Sequence, residues 1–374
     1  MKIAFDAKRA YLNKAGLGNY SRNTLVGLNK YYPQHQYLLF TPKVRRDIFK
    51  EYPFFKTVTP APWIPGFLSP LWRSWFLSGI VRKEKPDLFH GLSNELPSGI
   101  HKTGVKAVVT IHDLIFLNFP GLYKAIDRRI YFEKVKYACQ AADRIIATSR
   151  QTRNDLVYHL GADPERVEVL YQGISERFFL SHYAEDTGNV LKRYRLPSSY
   201  VLTVGTIEER KNQLGVLQAL HRGKIDLPYV IVGKPTPYAD KIEAYIEKHG
   251  LREKVFILNN VPDFDLPALY QKATCLVYLS HYEGFGLPII EAMASGCPVI
   301  TSSVSSLPEI GEEAALYCNP HDEEAIIHLI AKVTGNAALA TDMSQKGKKR
   351  ARMFHPEGRT NELMAFYQKV TGHE

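Results

Sequence analysis

The sequence predicts an α/β protein made of two doubly wound parallel-sheet domains. Three observations predict it. Short apolar runs alternate with helical patterns from end to end of the 374 residues. The runs are apolar throughout, as strands buried on both faces must be, and do not alternate with polar residues. The length also exceeds the roughly 250–300 residues at which one core stops growing, so two domains are expected.

In chain order, the first half offers strands at "KIAFD" (2–6), "QYLLFT" (36–41), "DLFHG" (87–91), "KAVVTIH" (106–112), "RIIATS" (144–149) and "VEVLY" (167–171). Helical stretches such as "GNYSRNTLVGLNKYY" and "AIDRRIYFEKVKYACQAA" lie between them. A polar segment, "SHYAEDTGNVLKRYRLPSS", follows, and the pattern then restarts. The second set is "YVLTVG" (200–205), "YVIVGK" (229–234), "KVFILN" (254–259), "CLVYLS" (275–280), "CPVITS" (297–302) and "AALYC" (314–318). Strands linked by helices in this way give Rossmann-like sheets. The expected domains are 1–185 and 186–355.

Composition is that of a globular protein, 45% hydrophobic and 23% charged, which excludes a disordered chain. "MKIAFDAKRAY" turns polar too soon for a signal peptide, and no run approaches the ~18 apolar residues of a membrane span. Cys139, Cys275, Cys297 and Cys318 are scattered in apolar contexts, as reduced core thiols of a cytoplasmic protein would be. The net charge of +10 is uneven: residues 1–150 hold 24 Lys and Arg against 10 Asp and Glu. Such asymmetry fits an anionic partner of the front domain (a membrane surface, a phosphorylated acceptor or nucleic acid), or a plain solvated basic face.

Ligands of such sheets bind beyond the carboxyl ends of the strands. One such end is "LSHYEGFGLPIIEAMASGCPVI", where "HYEGFG" reads as a loop and "LPIIEAMAS" as the helix it feeds, with Pro288 in the first turn and Gly296 at the stop. Glu291 is expected in the first helical turn and Glu283 in the loop, both at one mouth. Gly284 and Gly286 let backbone approach a ligand, and the N–H groups of Phe285, Gly286 and Leu287 are donors for its oxygens. Carboxylates accept from hydroxyls, so the pair suits sugars and ribose. The plain alternative for Glu291 alone is a favourable charge at a helix N-terminus.

In "YVLTVGTIEERKNQLGVLQAL" a strand ends at Gly205, and Arg210 and Lys211 sit just before a helix. Two cations there oppose the helix dipole unless an anion is bound, which points to phosphate. In the front domain Gly16-Leu17-Gly18 precedes a helix but lacks the third glycine and the spacing of a dinucleotide fingerprint. A loop opposite a phosphate, or a plain turn, are the readings. His112 and Asp113 end a further strand, with metal, base and structural roles all open. His90 and Asn94 mark another edge. In "VPDFDLPALYQKA", Asp263 and Asp265 resemble a metal-binding DxD, but Asp265 before "LPALYQKA" reads as an N-cap. No metal is expected.

"GLGNYSRNTL", "TIHDL", "IIATSRQTRNDL", "VGTIEERKN", "SHYEGFGLPIIEAMASGCPVITSSVSSLPEI" and "AALYCNP" together resemble, along essentially the whole chain, the retaining glycosyltransferases of family four. The resemblance implies a GT-B fold, two Rossmann-like domains facing across a cleft, with a nucleotide-sugar donor held by the second and an acceptor against the first. It implies that the last helix returns to the first domain, as 356–374. By motif, Glu283 contacts donor-sugar hydroxyls, Glu291 the ribose, Arg210 and Lys211 the diphosphate, and His112 lies near the donor sugar. Gly16 and Gly18 face the phosphates, Gly205 and Thr206 line the donor site, and Val261 or its neighbours touch the base. Many members carry Arg where this chain has Thr206; a subset with a similar "VGTLEPRKN" includes mannosyltransferases.

The resemblance further implies retention of anomeric configuration, no cofactor and no metal, with GDP-mannose favoured over UDP-sugars as donor. The acceptor would be a glycan or a lipid-linked saccharide, the location the cytoplasm or the inner face of its membrane. The segment "PWIPGFLSPLWRSWFLSGIVRKEK" (62–85) reads either as a membrane-surface helix or as a packed helix with a basic end. The rival functions are a GT-B sugar-nucleotide epimerase, a nucleic-acid or membrane-binding protein, and an inactive transferase. No nucleic-acid motif supports the second.

Overall fold

The computed structural model describes residues 1–50, 54–61, 72–180 and 184–373. They form two compact units: unit 1 is Met1–Gly173 with Pro356–Glu374, and unit 2 is Ile174–His355. The division falls before the expected 185. The cause is local: Ile174 N–H donates to Phe354 O, and Phe178 packs edge-on against Tyr270, so both belong to unit 2. The polar segment after it is helical, Ala184–Arg193, with Val190 and Leu191 buried. Its polarity belongs to a solvated face, not to a linker.

Among the described residues unit 1 holds a seven-stranded parallel sheet, ordered β3-β2-β1-β4-β5-β6-β7. The strands are β1 Lys2–Asp6, β2 Gln36–Phe40, β3 Phe55–Val58, β4 Leu88–Gly91, β5 Lys106–Ile111, β6 Arg144–Ala147 and β7 Val167–Val169. β3 escapes sequence reading because it lies at the sheet edge and is only half-buried. β1 pairs with both β2 and β4, which makes the switch point where crossovers part to opposite faces. On one face the helices Leu77–Glu84 and Ala125–Ala141 bury Leu77, Val81, Val135 and Ala138. On the other, the helices Gly16–Tyr31 and Pro356–Thr371 bury Leu25, Leu28, Met364 and Tyr367. Each of these Leu, Val and Met side chains contributes ~1.5–3 kcal/mol on burial.

Unit 2 repeats the plan with a six-stranded parallel sheet, β10-β9-β8-β11-β12-β13. Its strands are β8 Val201–Val204, β9 Tyr229–Val232, β10 Val255–Leu258, β11 Cys275–Tyr278, β12 Val299–Ser302 and β13 Ala315–Cys318. β8 pairs with both β9 and β11, so the switch point lies beside Gly205. The four cysteines are free and buried.

Two expectations are corrected here. Gly16-Leu17-Gly18 is no loop before a helix but its first turn, since the helix begins at Gly16. Gly18 is required there: a Cβ would stand 1.8 Å from Asn13 O. Asp265 occupies an N-cap position without a side-chain capping bond. Its buried carboxylate instead takes Arg193 Nη1 at 2.6 Å and Tyr194 OH at 2.6 Å. In the segment 62–85, residues 62–71 lie outside the described residues. From Trp72 on, it divides into a buried side (Trp72, Arg73, Leu77, Val81) and an exposed one (Trp75, Phe76). No helix among the described residues is long and apolar enough to cross a membrane.

Candidate active site

At the carboxyl ends of β8 and β11, unit 2 brings together Arg210, Lys211 and Glu283. β8 stops at Val204, and Gly205 turns the chain with φ +143°, a value that favours glycine. After Thr206 the chain makes a single 3-10 turn, Glu209–Lys211. Asn212, left-handed at φ +56°, then sets off the helix Gln213–Arg222. Arg210 and Lys211 therefore project from a short, fixed turn. The loop after β11 is zipped to it: His281 N–H donates to Arg210 O at 2.8 Å, and Ser280 Oγ donates to the same oxygen at 3.1 Å.

Glu283 Oε1 is the meeting point. It accepts from Tyr278 OH at 2.9 Å, pairs with Arg210 Nη1 at 2.9 Å, and bonds Lys211 Nζ. Lys211 Nζ also donates to Tyr278 OH at 2.5 Å and lies 5.0 Å from the centre of its ring. Burial alone would raise the Glu283 pKa, but Arg210 and Lys211 hold it down at about 2. Burial lowers the Lys211 pKa, and Glu283 opposes that. Burial and the facing Glu283 carboxylate raise Tyr278 far above the usual phenol range, so its hydroxyl stays a donor. Two cations thus share one carboxylate oxygen. Arg210 Nη2 also reaches Glu208 Oε1 at 2.5 Å, a partner one-third exposed.

The loop Glu283–Gly286 is held from behind. Glu283 N–H donates to Ser305 Oγ at 3.0 Å, and Ser306 Oγ lies 2.9 Å from Glu283 O and 2.7 Å from Phe285 O. Gly284 is buried with them, and Phe285 packs edge-on against Phe354. Gly286 takes φ +119°, and a Cβ there would stand 2.8 Å from Leu307 Cδ2. It starts the helix Leu287–Ala294, with Pro288 in the first turn. Glu291 is the fifth residue of that helix and not in its first turn, contrary to expectation. The dipole account of Glu291 weakens accordingly, because that effect fades beyond the first turn. Its Oε2 accepts from Tyr270 OH at 3.0 Å. Burial raises its pKa to about 7; Tyr270 opposes this and the charge of Asp263 adds to it.

In unit 1, His112 follows β5 and is buried. Nε2–H donates to Leu92 O at 2.9 Å, and its backbone N–H donates to Asn94 Oδ1 at 2.8 Å. Burial lowers its pKa to about 4, so the ring is neutral. Tyr20 stands edge-on at 4.6 Å, which sets His112 beside the second turn of the helix that Gly16 and Gly18 begin. His90 is part of the core: its ring nitrogens reach Tyr367 OH at 2.6 Å and Thr110 Oγ1 at 2.8 Å.

Gly205, Arg210, Lys211 and Glu283 thus converge. Tyr278, Tyr270, Ser305 and Ser306 were not foreseen. The one signal for Tyr278 was a hydroxyl-bearing residue at the carboxyl end of the apolar run "CLVYLS". Among the described residues no group of three or more His, Cys, Asp or Glu side chains could hold a metal ion.

Two family models match the chain: Glycosyltransferase Family 4 over residues 15–178 and Glycosyl transferases group 1 over 193–350. O-antigen chain mannosyltransferase B of Escherichia coli is 32% identical over 308 residues, which cover 80% of this chain and 78% of that protein. Serotype-specific mannosyltransferase WbdA of Escherichia coli is 31% identical over 253 residues, 64% of this chain but only 30% of that longer protein. Among solved structures, HepE of Anabaena in complex with UDP superposes with a TM-score of 0.77 at 17% identity, covering 99% of this chain and 100% of that one. The chain belongs to the family 4 glycosyltransferases: it is a glycosyltransferase with the two Rossmann-like domains of the GT-B fold.

Proposed function

We propose that this chain transfers a mannosyl group from GDP-mannose to a saccharide or lipid-linked acceptor, with retention of anomeric configuration and without a metal. The observation that carries the reading is the sharing of one Glu283 oxygen by Arg210 and Lys211 at a strand end in unit 2. The names of the similar proteins, mannosyltransferases of O-antigen chains, support the choice of sugar and of a polysaccharide acceptor.

The chemistry follows from the leaving group. As the C1–O bond of the donor breaks, the sugar gains oxocarbenium character and negative charge grows on the diphosphate. Arg210 and Lys211 turn from Glu283 to the phosphate oxygens and stabilise that charge most strongly as it develops. A unit charge pair at 4 Å in such a setting is worth up to ~4 kcal/mol. Glu283, released from its cations, accepts hydrogen bonds from the sugar hydroxyls. The acceptor hydroxyl attacks C1 on the face the diphosphate leaves, and its proton passes to a phosphate oxygen. The products are GDP and the mannosylated acceptor, and atoms and charge balance. Glu291, on Tyr270, takes the ribose hydroxyls.

The test is a thermal-shift panel of GDP-, UDP- and ADP-sugars with a chelator present, followed by product analysis. A donor at 100 times its Kd stabilises by ~2.7 kcal/mol. GDP-mannose is expected to give the largest shift, and acceptor-dependent GDP release is expected with an α-linked product. No shift from any sugar nucleotide, or conversion of the donor without acceptor, overturns the proposal.

A further inference from the structure

We propose that unit 1 holds a phosphate-binding site of its own, formed by Lys8 and Arg9 beyond the carboxyl end of β1, and that its ligand is the phosphate of a phosphate-bearing saccharide acceptor. The ligand class extends the transferase reading and rests on it. The site itself is argued from unit 1 alone.

β1 pairs with β2 on one side and β4 on the other, so its carboxyl end is the switch point of the sheet, where ligands of such sheets bind. From Asp6 the chain passes almost at once into the short helix Lys8–Leu12. That helix is pinned from within. Ala7 N–H donates to Phe40 O at 2.9 Å, Ala10 and Tyr11 are fully buried, and Arg22 Nη1 donates to Ala10 O at 3.0 Å and to Asn13 O at 2.6 Å. Lys8 N–H donates to Asp6 Oδ1 at 3.2 Å. Lys8 and Arg9 therefore spring from a fixed backbone, and each is only half-buried.

The neighbouring strand end is tied to the same edge. After β4, the loop Leu92–Glu95 meets His112 through Leu92 O and Asn94 Oδ1, and meets Arg73 through Glu95. Arg73 also holds Asp6, and Lys134 shares Glu95. Both carboxylates are thereby taken. Asp113, after β5, accepts from Ile115 N–H at 3.2 Å. Lys8 and Arg9 are left over: among the described residues neither side chain has a hydrogen-bond or ion-pair partner. Their charge is felt inside the fold. Burial lowers the Lys8 pKa, and the charges of Arg73 and Arg9 add to this against Glu95 and Asp6. The charge of Arg9 also bears on the buried His112.

Charge selects the ligand. A basic pair on an ordinary surface spreads into water, where its repulsion is screened. This pair is held at a strand end, half out of water, with Arg73 already committed to other partners. Repulsion among like charges so placed is relieved when an anion binds to them. Phosphate suits both residue types, Arg through its planar fork and Lys as a point charge. The same charge chooses between the two kinds of acceptor. A plain saccharide brings only hydroxyls and no counter-charge. A saccharide joined to its lipid through phosphate brings the anion that these two cations lack.

The test is calorimetric titration of the full chain with mannose 1-phosphate, with GDP present to occupy the donor position and methyl α-mannoside as the uncharged control. The phosphate should bind at least about tenfold more tightly than the control, and added salt should weaken it. Lys8→Gln with Arg9→Gln should lower that affinity by about 30-fold, the scale of losing two bonds to a charged group. Lys211→Ala, in unit 2, should keep it within about twofold. Lys8 and Arg9 are half-exposed and without partners, so the double variant should melt like the parent and keep its thermal shift with GDP-mannose. Equal binding of mannose 1-phosphate and methyl α-mannoside overturns the proposal. So does an affinity lost in Lys211→Ala and kept in the double variant, which would place the phosphate in unit 2. A double variant that loses its shift with GDP-mannose would give the two cations to the donor and overturn it as well. A parent chain that no sugar nucleotide stabilises counts against the donor reading alone, because the titration reads the Lys8 and Arg9 site without a sugar donor.

Discussion

Each unit builds a buried ionic cluster at the carboxyl edge of its central strands, and the two clusters are opposite in kind. In unit 1, Arg73 is divided between two carboxylates: Nη1 meets Asp6 Oδ2 at 2.7 Å, and Nη2 meets Glu95. In unit 2, two cations are divided over one carboxylate oxygen of Glu283. Burial alone would lower the Arg73 pKa, but its two acidic partners raise it above the ordinary value. Its guanidinium has therefore given its charge away inside the fold and serves as a lock. Arg210 and Lys211 hold more positive charge than the buried Glu283 balances, and their second counter-charge, Glu208 on Arg210 Nη2, is one-third exposed and screened by solvent. A cluster with that surplus can hand its carboxylate over and accept an anion; a cluster already sharing one cation cannot. The residue types are similar in both places, and the ratio of charges separates a structural site from a receptive one.

The first way to break this comparison is Arg73→Ala. Removing the shared cation leaves the Asp6 and Glu95 carboxylates without their common partner, with Lys134 at 3.4 Å from Glu95 and the charge of Lys8 acting on it as well. Deleting one partner of a buried pair costs about 3–5 kcal/mol. For a unit of this size that is roughly 6–20 °C in melting temperature. Differential scanning calorimetry checks it, and the stabilisation given by the donor should be unchanged. A variant that melts like the parent would remove Arg73 from the role of lock.

Lys211→Ala should act the other way round. Glu283 keeps Arg210 at 2.9 Å and Tyr278 at 2.9 Å, so no bare charge is stranded and unfolding should move little. Turnover should fall about 10²–10³-fold, the scale of losing one donor to developing charge. Donor affinity, read by titration, should fall less than kcat. Unchanged turnover would take Lys211 out of the chemistry and collapse the contrast with Arg73.

How far the sequence discloses these two clusters depends on the distance over which their partners are gathered. The strands of both sheets are legible because buried parallel strands are apolar throughout; only the half-buried edge strand Phe55–Val58 escapes. Arg210, Lys211 and Glu283 are legible because each stands at a strand end next to glycines that mark close approach. Arg73 is not: in sequence it resembles the basic rim of a surface helix, and its partner Asp6 is 67 residues away. Tyr278 and Tyr270 are hidden for another reason. Their rings satisfy the apolar pattern of a strand and a helix, and a hydroxyl at the ring's far end leaves no trace in periodicity. The helix starts at Leu287 as "LPIIEAMAS" predicts, but Glu291 is its fifth residue and falls just past the 3.6 residues of the first turn.

Glu291 gives the smallest effect and the finest form of the comparison, because among the described residues its bonded partner is a hydroxyl, Tyr270, and the charge of Arg177 only partly opposes the effect of burial. Its folded pKa is raised, mainly by burial, to about 7, against about 4.3 in an unfolded chain. The folded state therefore favours the protonated acid. The stability it allows is fully present below about pH 4.3 and is lost as pH rises through about 7. Glu291→Gln keeps the shape and removes the titration. The variant should match the parent near pH 4, gain on it between pH ~4.3 and 7, and stay ahead by about 1–2 kcal/mol at pH 8, because solvent reaches part of the carboxylate and screens it. Under the proposed role in holding ribose, the same variant should bind GDP-mannose more weakly at pH 8. Denaturant titrations at pH 4, 6 and 8 read the first effect and thermal shifts read the second. A gain in stability with no loss of donor binding would show that the buried carboxylate is not held for the nucleotide. Parallel stability curves of parent and variant at all three pH values would show that burial does not raise its pKa. Opposite signs for stability and affinity are what an acid kept for a ligand should give, since the cost of its burial, only partly offset by Tyr270 and Arg177, falls further when ligand hydroxyls donate to it.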